Sequence, residues 1–153
     1  MKKSVILIIS TMSLIAIILI GLIFQRAEIY NTTIYVRQII VTDIRVGDEM
    51  YPTFWDEERK LYRIYNSENP KPTYAFPFIP NITMDILYNV LPIDATNQSV
   101  SFYNGENDSV GQVDTTSGRV TFTDTGTMYI DLKADDNSNV KTQVTLRVSN
   151  PET

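Results

Sequence analysis

Residues 87–148 read LYNVLPIDATNQSVSFYNGENDSVGQVDTTSGRVTFTDTGTMYIDLKADDNSNVKTQVTLRV. Short runs in which apolar and polar residues alternate are separated by clusters of Gly, Asn, Asp and Ser. Alternation with period two gives a strand one apolar and one polar face. The regular turn clusters make the whole stretch an all-β sandwich pattern. Val100 and Phe102 share one face, as do Val120 and Phe122. Met128, Ile130 and Leu132 form another apolar row, and Val144, Leu146 and Val148 close the set.

Upstream, residues 82–90 alternate in the same way. Residues 34–46, IYVRQIIVTDIRV, are rich in β-branched residues and read as one strand or two, with a break at Thr42 and Asp43. Gly47, Asp48 and Glu49 mark the turn after it. Residues 51–80 differ from everything around them. They hold eight of the sixteen aromatic residues and five of the seven prolines. Asp56, Glu57 and Glu58 form a polar turn between 51–55 and 60–65, so a hairpin is expected. In it Leu61, Arg63 and Tyr65 face one side, Tyr62 and Ile64 the other. The prolines at 70, 72, 77 and 80 keep the remainder to edge or extended segments.

Residues 5–24, VILIISTMSLIAIILIGLIF, contain no charge. Twenty helical residues rise about 30 Å, which matches the hydrocarbon core of a bilayer. The run is longer than a signal-peptide core, and Gln25 stands where a small residue would precede cleavage after Ala27. A signal anchor is therefore expected. Lys2 and Lys3 before the run, against Arg26 after it, place the N-terminus in the cytoplasm and the rest outside. Those three cations leave ten basic residues against all eighteen acidic ones in 27–153, a net charge of −8. Such a domain is poorly suited to nucleic acid. There is no cysteine and no histidine. Disulfides, thiol chemistry, the commonest general base and the commonest zinc ligand are excluded together.

With these elements in place, the chain resembles a bacterial immunoglobulin-like domain of group 2, the module type of intimin- and invasin-like adhesins, over about residues 82–149. Pro92 followed by Asp94, Ala95, Thr96 and Asn97 carries the likeness. So do Val113, Asp114, Gly118, Gly126, Thr127 and Ile130, with Phe102 where the family usually has Trp. The resemblance implies that Gly118 and Gly126 occupy turns and that Phe102 and Ile130 fill the space between the sheets. Residues 46–49 resemble an early turn of the family, and 51–80 would then be an insertion.

The expected fold class is all-β, a two-sheet immunoglobulin-like β-sandwich preceded by a single transmembrane α-helix. Its parts are a cytoplasmic lead (1–4), a transmembrane helix (5–24), a linker (25–33) and the sandwich (34–149). Residues 135–139 offer oxygen ligands at alternate positions, as calcium loops do. They lack the glycine and the closing glutamate such loops need, and read as a hairpin turn. No phosphate loop and no nucleophile motif is present. No catalytic residue, metal or cofactor is expected. The expected partners are the membrane and a protein or carbohydrate bound through 51–80, with Trp55, Tyr62 and Tyr65 as anchors. The function expected is a non-catalytic binding or structural module at the cell surface. The alternative is an accessory subunit of a membrane-bound envelope or secretion assembly.

Overall fold

The computed structural model describes residues 11–20, 22, 32–65, 74–106 and 109–150. The chain divides into two compact units, Met1–Thr33 and Ile34–Thr153. In the first, residues 11–20 and 22 are helical. Among the described residues no helix is long and apolar enough to cross a membrane. The other residues of the expected spanning segment, and 25–31 of the linker, lie outside the described residues.

The second unit is all-β, as the alternation requires. Its strands are β1 (Gln38–Val46), β2 (Glu49–Asp56), β3 (Leu61–Ile64), β4 (Ala75–Pro77), β5 (Thr83–Leu91), β6 (Val100–Asn104), β7 (Gly111–Val113), β8 (Arg119–Phe122), β9 (Gly126–Ala134) and β10 (Lys141–Ser149). Residues 34–46 give one strand, not two. The irregularity expected near Thr42 is a register shift between Val41 and Asp43 in the pairing of β1 with β5.

A two-sheet sandwich was expected, and in the structure the two layers share β2. The strands form one hydrogen-bonded sheet in the order β6-β9-β10-β3-β2-β1-β5-β8-β7, with β4 beside β10. It folds over at β2. The first half of β2 pairs with β1, up to Pro52 opposite Asp43. The second half, Thr53 to Asp56, pairs with β3 instead. Pro52 has no N–H to give to a ladder, so a strand can change partners there at little cost. The Thr53 hydroxyl covers the gap by donating to the Val41 carbonyl at 2.6 Å. On the opposite side, Phe102 N–H donates to the Thr115 carbonyl at 3.0 Å. Asn104 accepts from Val113 N–H at 3.1 Å and so ties β6 to β7. The two layers are thus joined along both sides, and the sandwich is barrel-like.

This arrangement also changes the standing of 51–80. Its hairpin is not appended to a finished module. β3 lies between β2 and β10, and β3 and β4 follow one another along the same parallel edge of β10.

The core lies between the layers. Ile44, Met84, Phe102, Val120, Phe122, Met128, Ile130, Leu132, Val144 and Leu146 have no measurable exposure. Those of β5 to β10 come from the apolar faces the alternation predicts; Ile44 faces inward because the register shift after Val41 changes which side of β1 meets the core. Gly118 has φ +70°, and a Cβ there would lie 2.5 Å from Phe102 Cζ. The turn therefore closes directly on the ring, and only glycine satisfies both the conformation and the space.

Candidate binding groove

The β2–β3 hairpin sorts its aromatic residues by depth. Trp55 is directly opposite Tyr62, and Phe54 is opposite Arg63. Residues directly opposite share a face. Trp55 and Tyr62 therefore lie on one face, the core side, and Phe54 and Arg63 on the other, where Arg63 is itself buried. Tyr62 is only 7% exposed and belongs to the core cluster. Trp55, its direct partner across the ladder, is 37% exposed. Their rings meet edge-to-face with centroids 5.0 Å apart. Tyr65 is 55% exposed but packs against Phe54 on the other face.

The three expected anchors are thus not one surface. Trp55 and Tyr62 come together; Tyr65 points away from them. Tyr62, named as an anchor, is a largely buried wall, because the second half of β2 turns its core face inward. The remaining aromatics of the region have packing partners too. Tyr51, Tyr74 and Phe76 form a cluster with centroids 4.8, 5.0 and 5.5 Å apart.

Around Trp55 and Tyr62 there is a groove of about 360 Å³, lined also by Arg37, Gln38, Ile39, Glu57, Val140, Lys141 and Thr142. It opens where β2 leaves β1, so that the start of β1, the end of β2 and the start of β10 surround a gap. Ile39, Val140 and the two rings supply apolar surface. Glu57 accepts from Lys60 Nζ at 2.9 Å. Its carboxyl is held below its ordinary range, first by that bond and then by the Trp55 indole N–H. The indole is thereby oriented. Arg37 and Lys141 have no ion pair among the described residues. Sequence reasoning missed both, since neither stands in a motif and they line the groove from segments about one hundred residues apart.

The segment that brings Arg37 to the groove is clamped by two turns, at 94–97 and 135–139. Thr96 N–H donates to the Ile34 carbonyl, and Ile34 N–H donates to Thr96 Oγ1, both at 2.9 Å. Asp136 is buried; its Oδ2 accepts from Val36 N–H and its Oδ1 from Ser138 N–H. Burial opposes the charge on Asp136. The bonds from Ser138 and Val36 outweigh it and hold the carboxyl below its ordinary range. The 135–139 turn is a strap over the segment that leads into β1. Among the described residues no group of acidic side chains is placed to hold a metal ion.

Asp56 accepts from the buried Arg63 Nη1 at 2.6 Å, on the face of the hairpin away from Trp55. Its carboxyl is lowered first by the Arg59 backbone N–H and then by Arg63. The acidic turn of 56–58 thus stabilises the hairpin that carries Trp55.

No family model matches the chain and no curated protein matches it. A weak likeness is found to a solved structure, the C-terminal 282-residue fragment of intimin in complex with the intimin-binding domain of the translocated intimin receptor. The likeness has 14% sequence identity, covers 76% of this chain and 32% of that one, and has a TM-score of 0.43. The chain spans about a third of the length of that fragment, and a likeness of this size carries no argument.

Proposed function

We propose that the chain is a non-catalytic binding module of bacterial immunoglobulin-like type, anchored through residues 5–24 and displayed outside the cell membrane. The groove at Trp55 is the observation that carries the binding reading. A partly exposed Trp braced on a buried Tyr is the kind of rigid aromatic surface that anchors ligands and partners. The uncharged run at 5–24 and its flanking cations support the anchoring. The lack of cysteine and histidine in the sequence supports the non-catalytic reading.

Two measurements test it. Alkaline carbonate should leave the full chain in the membrane pellet and release a chain lacking 5–24. Protease added to intact cells should digest the β unit; a protected β unit would invert the topology.

A further inference from the structure

We propose that the end of the β unit where the chain enters it docks on a zwitterionic lipid surface, with Tyr35, Leu91 and Ile93 in the headgroup layer. This deepens the anchoring read from residues 5–24 and rests on it.

Three observations lead there. The first is exposure. Ile93 is 84% exposed, more than any other large apolar residue among those described, and Tyr35 and Leu91 are exposed with it. None of the three belongs to the core cluster. The second is that they are gathered. The Leu91 carbonyl, at the end of β5, accepts from Arg37 N–H at 2.8 Å, and the Ile34 carbonyl accepts from Thr96 N–H at 2.9 Å. Tyr35 is thereby held alongside the turn that carries Ile93. Val36 is buried, while Tyr35 before it and Arg37 after it are exposed. The other exposed apolar residues of the unit are scattered, which is ordinary for a protein surface. Tyr65 packs on Phe54, Met50 stands opposite Arg45, Tyr103 stands opposite Asp131, and Ile79 is single between β4 and β5. The third is reach. Residues 25–33 separate the apolar run from Ile34, and the ten steps from Phe24 to Ile34 span about 35 Å at full extension. A chain spanning the bilayer at 5–24 therefore keeps Ile34, and the turn bonded to it, close to the lipid. Tethering of this kind makes even a weak apolar contact effective. Tyrosine suits the headgroup layer, since its ring is apolar and its hydroxyl polar. Arg37 and Asp94 flank the three residues with opposite charges, so the contact favours neither sign of headgroup and its occupant is a zwitterionic surface.

The chain has no cysteine, so Ile93→Cys and Met50→Cys each give a single place for a fluorophore. Full-length chain is labelled at each in turn with a nitrobenzoxadiazole group and reconstituted in phosphatidylcholine vesicles. The quencher is phosphatidylcholine carrying a nitroxide high on its acyl chain. Quenching at 93 should be at least fivefold stronger than at 50, and iodide in the water should give the reverse order. Tyr35→Ser together with Leu91→Ser should weaken the quenching at 93 at least threefold and leave the melting temperature unchanged. Equal quenching at 93 and 50, or quenching at 93 that ignores the paired substitution, would overturn the proposal. So would a label at 93 that the nitroxide leaves bright and that iodide loses only as the ratio of chain to lipid rises, which would make a second copy the occupant. Carbonate extraction of the same vesicles reports anchoring separately. A firmly embedded chain with equal quenching at the two positions overturns this inference alone; a chain released by carbonate overturns the anchoring and this inference with it.

Discussion

Phe102 and Trp55 are both large aromatic rings set against a neighbouring strand or turn, and their surroundings are opposite. Phe102 is sealed: the turn at Gly118 lies on its face, its own N–H is taken by Thr115, and Tyr88 meets it edge-on at 5.6 Å. Trp55 has a buried ring on one side and an open groove on the other. The difference arises from pairing. Around Phe102 the two layers are closed by a backbone hydrogen bond. Around Trp55, β2 has left β1, and the mouth between them stays open. A single change of strand partner at Pro52 therefore makes the cavity.

The largest effect should come from filling the sealed side. Gly118→Val places a branched side chain into the Phe102 ring at a positive φ. Strain and overpacking together should cost about 4 kcal/mol in urea unfolding. A loss under about 1 kcal/mol would mean that the turn does not lie on the ring.

Next comes the wall between the two regions. Tyr62→Ala should cost about 3 kcal/mol, because its ring is in the core, while Tyr62→Phe should cost under about 1 kcal/mol. If Tyr62→Ala leaves the unfolding midpoint unchanged, Tyr62 is a surface contact after all and the groove is shallower than described.

A smaller effect concerns the strap that holds β1 at the mouth. Asp136, Asp56, Asp85 and Asp114 all have carboxyls held below their ordinary range. For Asp85 the leading cause is its hydrogen bond from Arg119, followed by that from Arg45. Lowered folded-state values mean that their stabilisation is present above the unfolded carboxylate value of about 4, and is lost as pH falls through the folded-state values. The unfolding midpoint should be level from neutral pH to about 5 and decline below about 4. Asp136→Asn should lower the midpoint at neutral pH and shrink that decline. A midpoint that rises on acidification would contradict the carboxylate assignments.

Much of this was readable in the chain. β5 to β10 follow from alternation and turn residues, because each strand buries one face against a core built by its neighbours. Gly118 and Phe102 were identifiable for the same reason. The change of partner at β2 was not, since alternation specifies which face a residue takes and not which strand lies beside it. It also specifies face without depth, which is why Tyr62 and Trp55 could not be told apart. Tyr65 was legible as lying on the other side from Tyr62, and the structure places it there. The clamp of Asp136 on Val36 spans one hundred residues, beyond any local pattern.

The contrast itself is tested by unfolding Phe102→Ala and Trp55→Ala side by side in urea. Phe102→Ala should lose about 4 kcal/mol, as a sealed aromatic does, and Trp55→Ala no more than about 1 kcal/mol. Comparable losses at both positions would make Trp55 a core residue and contradict the open groove.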